Sequence, residues 1–214
     1  MKLFTAIALF WVTSISSAKD YDIPEISGAL TLSNIWIPVS AAVVKEHNED
    51  MIGKRPGTKC RYIVGFMRGK PPTDFYSSQE YLWIQLTPMP LGSITPEQMV
   101  AVYPKPASQL QKQYETMLKY KVEPGLARYD ERLGAIVYDA AFPEADGKIR
   151  AVMRSFTVLT GTQAIGIVAY SRPEHAEMTF EEARGVASTL TLKEREQVPT
   201  AWKERLKQLL KASP

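Results

Sequence analysis

Cysteine is nearly missing: Cys60 stands alone among 214 residues, which excludes an internal disulfide. Stability must then come from packing, and a lone thiol leading into the apolar run Tyr62-Ile63-Val64 reads as a small buried residue. Histidine is almost as scarce, with only His47 and His175 to serve as imidazole bases. No G-x-S-x-G elbow, P-loop or dinucleotide glycine pattern occurs, so no motif calls for a catalyst or a cofactor. Excess charge is missing too: 26 basic against 23 acidic residues leave a formal +3, too little to point to nucleic acid. No repeat and no low-complexity segment interrupts the chain.

Long hydrophobic runs are confined to the start. Lys2, the apolar stretch Leu3 to Val12 and the small residues Ser16-Ser17-Ala18 have the form of a secretory leader, too short for an ordinary membrane span. Residues 1–18 are expected to be removed, leaving a periplasmic or secreted chain that begins at Lys19. Without Lys2 the charge becomes 25 − 23 = +2. The rest is expected to divide into one domain over 19–198 and an amphipathic C-terminal helix over 199–214.

What is present is best organised between Leu133 and Leu192. Asp146-Gly147 separates Ile136-Val137-Tyr138 from Ile149–Leu159, and Thr160-Gly161-Thr162 separates that strand from Ile165–Tyr170, giving an antiparallel meander. In the last strand both alternating faces are apolar, which predicts helices on both sides of the sheet. Thr179 and Glu182 have the spacing of a capping box ahead of the stripe Phe180, Ala183, Val186, Ala187 and Leu190. Gly185 in that helix predicts a close approach by a neighbour, since glycine costs a helix about 1 kcal/mol relative to alanine.

Upstream, Leu30, Leu32, Ile35 and Trp36 predict a short strand or hairpin between Ile23 and Pro38. Ala41 to Asp50 has no clean period, and its end reads as a solvated acidic turn, so His47, Glu49 and Asp50 are not taken as metal ligands. Strands are expected over Tyr62–Met67 and Glu80–Met89. Thr95-Pro96-Glu97-Gln98 opens a capped helix that stops near Tyr103, and Leu110, Tyr114, Met117 and Leu118 mark another over Ala107–Tyr120. Trp202, Leu206, Leu209 and Leu210 share a face of the last helix, Thr200–Ala212.

The run Ala164-Ile165-Gly166-Ile167-Val168-Ala169-Tyr170-Ser171, followed by Phe180 and Val186-Ala187-Ser188-Thr189-Leu190, resembles the last strand and closing helix of the PsbP/Mog1-like group. The resemblance extends loosely from Tyr62 to Leu192. It implies an α+β fold, an α/β/α sandwich with a central, mainly antiparallel sheet, and the role of a non-catalytic accessory or binding protein. The basic segment Met51–Thr73 and the helix after Pro199 lie outside that pattern.

The candidate functional residues are few. Met51 to Thr73 holds Lys54, Arg55, Lys59, Arg61, Arg68 and Lys70 with no acid among them, and Trp202 adds an aromatic anchor. Together they suggest docking on an acidic protein partner or peripherally on an anionic membrane surface of the bacterial envelope. A hydrolase assembled around His175 and Ser171, with a carboxylate, is the alternative. His175 itself, between Glu174 and Glu177, reads as part of a solvated turn, and Asp139 as an ion-pair partner for Arg150 or Arg154 across the hairpin.

Overall fold

The computed structural model describes residues 18–69, 80–192 and 198–211. The leader, apart from Ala18, and Lys70 lie outside them.

The meander is present, as β8 (Ala135–Pro143), β9 (Ile149–Leu159) and β10 (Gln163–Ser171). Gly147 takes a φ of +83° in the first turn, where Glu144 N–H donates to the Lys148 carbonyl at 2.8 Å. Beyond β10 the sheet continues through β5 (Tyr81–Pro88), β4 (Arg61–Arg68) and β3 (Trp36–Pro38). Beyond β8 it ends in β6 (Glu123–Pro124), while β7 (Arg128–Asp130) also pairs with β8. The order is β3-β4-β5-β10-β9-β8-β6, with every pairing antiparallel. A separate small sheet contains β1 (Ala18–Ile23), β2 (Gly28–Ser33) and β11 (Thr191–Leu192).

Both faces of the large sheet are covered, as the two apolar sides of β10 require. On one face Ile165, Ile167, Leu82, Ile84 and Phe66 meet α4 (Ala176–Thr189) and the apolar side of the β1–β2 hairpin. The opposite face carries the remaining helices. Trp83 and Val168 lie under α1 (Ala41–Lys54), Tyr138 and Ala140 near Leu118 of α3 (Gln109–Leu118). Ile136 and Ala164 join Met99 of α2 (Pro96–Ala101) and Leu206 and Leu210 of α5 (Thr200–Lys211) in one cluster. The architecture is an α/β/α sandwich around a mainly antiparallel sheet.

Three local readings change. Ala41–Asp50 is helix rather than irregular chain, because its inward face mixes Val43 and Val44 with the polar His47 and Asn48 and so hides the period. Asn48 is turned inward to hold a β-bulge: its amide donates to the Tyr62 carbonyl at 2.9 Å, and its oxygen accepts from Tyr62 N–H at 2.7 Å. His47 stacks on Trp83 with ring centres 4.5 Å apart.

The second change is at α4, which begins at Ala176, so Thr179 is a buried helical residue and not a cap. Its hydroxyl is hydrogen-bonded to Ser171 Oγ at 3.2 Å. Glu182 then faces the sheet edge, where it accepts from Trp36 Nε1 at 3.1 Å and from Arg68 at 3.0 Å. Gly185 is the third change: a methyl group added there would meet nothing within 4 Å, so no close approach explains it. By contrast, the capping box at Thr95 is complete, with Gln98 N–H donating to Thr95 Oγ1 at 3.2 Å and Thr95 N–H to Gln98 Oε1 at 2.8 Å.

Candidate functional site

The basic residues gather where α1 ends and β4 begins. Gly57, at φ +83°, reverses the chain after Arg55, and Thr58 N–H closes the turn on the Arg55 carbonyl at 3.1 Å. Lys54, Arg55, Lys59 and Arg61 therefore share one corner of the sandwich. Lys54 pairs with Asp50 one helical turn back at 2.6 Å. Arg55 reaches across to α3, with its guanidinium 4.3 Å from the Tyr114 ring centre and Nε 3.1 Å from Met117 Sδ. A cation over an aromatic face contributes about 0.5–1 kcal/mol at such a site. Lys59 and Arg61 are exposed.

Between the end of α1 and α3 lies an open cleft of about 390 Å³ lined by Lys54, Gln109, Lys112, Gln113, Thr116 and Met117. Its α3 residues were absent from the sequence-derived set. Gln109, Lys112, Gln113 and Thr116 form a polar stripe beside the apolar one that holds Met117, but nothing local said that this stripe faces Lys54. Neither helix has a fully buried residue, whereas α4 has five.

The other candidates are dispersed. Arg68 stands at the far end of β4, about 23 Å away at roughly 3.3 Å per residue, and is engaged by Glu182. Trp202 is half-buried, with its indole donating to the Ile94 carbonyl at 3.1 Å. It is tied into the chain's own fold instead of standing out as an anchor. Arg205 pairs with Glu97 of α2 at 2.7 Å on the same seam.

Cys60 is half-buried. Burial raises its thiol pKa, against the smaller opposing effects of a hydrogen bond with Thr87 and the charge of Arg55. A thiol held protonated is a poor nucleophile.

Ser171 and His175 do not meet. The serine is 2% exposed, and its hydroxyl lies 2.9 Å from the Arg172 carbonyl and 3.2 Å from Thr179 Oγ1. His175 is paired rather than merely solvated: Nδ1 lies 2.7 Å from Oε1 of the buried Glu80. Arg172 stands 3.6 Å from the same oxygen, so a cation neutralises this corner of β5 and β10. Asp139 receives Arg154 through two contacts of 2.7 and 3.1 Å and Arg128 at 2.8 Å. Burial acts to raise the Asp139 pKa, but the two guanidiniums outweigh it and hold the carboxyl below the usual range. These clusters pair carboxylates with cations; they do not present a base to a nucleophile. Among the described residues no group of three or more His, Cys, Asp or Glu is placed to hold a metal ion. No helix among them is long and apolar enough to cross a membrane.

No protein-family model matches the sequence, and no curated protein matches it. Solved structures do. Cyanobacterial PsbP (CyanoP) from Synechocystis superposes with a TM-score of 0.51 at 14% identity, covering 89% of this chain and 98% of its own. LpqN of Mycobacterium tuberculosis, described as involved in cell envelope biogenesis, gives 0.41 at 10% identity over 85% of this chain and 87% of its own. The second likeness is too loose to argue from. The first is a likeness of fold alone: this chain has the PsbP/Mog1-like fold.

Proposed function

We propose that this is an exported, non-catalytic binding or accessory protein of the bacterial cell envelope, periplasmic or secreted after loss of residues 1–18. It acts through protein contacts made at the corner of Lys54, Arg55, Lys59 and Arg61. One observation carries the reading: Lys54 lines an open cleft, and Lys59 and Arg61, in the segment that leads from α1 into β4, are exposed with no acidic residue between them, while the deeper polar clusters are closed on one another. Outward charge of one sign speeds and orients docking on an oppositely charged partner. The apolar leader followed by Ser-Ser-Ala supports export.

The test combines address and assembly. N-terminal sequencing of the protein recovered from the producing cells is expected to start at Lys19. In native gels of envelope extracts, the wild type is expected in a larger assembly that the double variant Lys59→Glu, Arg61→Glu leaves. A cytoplasmic protein starting at Met1, or a variant that migrates with the wild type, would overturn the reading.

A further inference from the structure

The cleft beside the basic corner has a chemistry of its own. Lys54 and Lys112 stand on its two sides, and Gln109, Gln113 and Thr116 supply neutral hydrogen-bonding groups. Met117 offers an apolar, polarisable wall. None of these lining residues is acidic, and Lys54 is paired with Asp50 at 2.6 Å. Tyr120, just beyond the end of α3, is 49% exposed, with its ring centre 5.8 Å from that of Phe142.

Such a surface suits a ligand that brings carboxylates and one apolar side chain together. Carboxylates would meet Lys112 and the amides of Gln109 and Gln113, with Lys54 shared with Asp50, while the apolar group packs on Met117. Apolar exposure decides between the kinds of acidic surface: a bilayer engages protruding apolar groups, whereas the apolar lining residue of this open cleft, Met117, is half-buried. Building on the accessory role proposed above, we infer that the α1–α3 cleft seats an acidic segment of a protein partner, anchored by one apolar residue.

The test uses a fluorescent peptide of about three helical turns carrying Glu and Asp on one face and Leu and Phe on the other. Its amide counterpart has Gln and Asn in place of the acids, and phosphatidylglycerol vesicles form the third arm. The full protein is expected to bind the acidic peptide about tenfold more tightly than the amide one, with affinity falling as salt screens the charges. NMR shifts are expected at Thr116 and Met117. Lys112→Glu should lose about tenfold in affinity for the acidic peptide, and Lys19→Glu, exposed on the β1–β2 hairpin over the opposite face of the sheet, should lose little. No binding, equal binding of both peptides, or equal losses in the two variants overturns the inference, as does binding to vesicles without binding to the peptide. If the cleft fails while Lys59→Glu, Arg61→Glu still leaves the envelope assembly, the accessory role stands and only this seat is lost.

Discussion

Glu182 accepts from two donors that lie 146 and 114 positions away along the chain, Trp36 and Arg68. Its spacing from Thr179 described a cap, yet the side chain closes one edge of the sandwich by joining α4 to β3 and β4. Glu182→Ala leaves an indole N–H and a half-buried guanidinium without their acceptor, at a cost of about 2–3 kcal/mol. Glu181→Ala, on the exposed side of α4, is expected to stay within about 0.5 kcal/mol when both variants are unfolded in urea. His47 makes a pH-dependent contribution of the same local kind. Burial on Trp83 lowers its pKa from the ordinary 6.5, ahead of the Val43 carbonyl and nearby acids, which act the other way. Above pH 6.5 both folded and unfolded chains hold it neutral; as pH falls, the unfolded chain takes the proton first, and stability is lost down to the lowered folded value. Stability measured from about pH 7.5 to 5 should therefore fall less in His47→Phe than in the wild type. Identical slopes would show that His47 does not contribute.

At the scale of elements, α1 and α4 show opposite failures of the same pattern rule. The first is a helix without a visible apolar period, because Asn48 spends its side chain on the bulge at Tyr62. The second has a clear period but starts three residues before its apparent cap, since Pro173 and the turn through His175 already direct the chain into the helix. Gly185 is a free position in α4. With nothing within 4 Å of a new methyl group, Gly185→Ala is expected to raise stability by about 1 kcal/mol, read as a higher melting temperature. A fall would reveal a neighbour that the glycine accommodates.

Across the whole molecule, the helices divide into tightly and lightly seated ones. α5 belongs to the first kind: Leu206 and Leu210 are 1% and 5% exposed against Met99, Ile136, Leu159 and Ala164. Truncation before Pro199 removes two buried leucines at roughly 1.5–3 kcal/mol each and uncovers the residues beneath them. The shortened chain is expected to unfold at lower urea or to aggregate, whereas a helix that served only for docking would leave the urea midpoint unchanged. α1 and α3 are the lightly seated pair, and the basic cleft lies between them.

Periodicity and turn chemistry in the sequence determined the meander, the two-sided burial of β10, the box at Thr95 and the stripes of α3 and α5. Each is a local pattern, set by alternation in strands, by helical spacing or by a cap and its partner. Tertiary structure alone decided what faces what. It placed Lys112 opposite Lys54, took Arg68 out of the basic set by pairing it with Glu182, turned Ser171 away from His175 and gave that histidine the buried Glu80. Charges and hydroxyls can be read along the chain, but a side chain's partner depends on contacts between residues tens of positions apart, which no local spacing encodes.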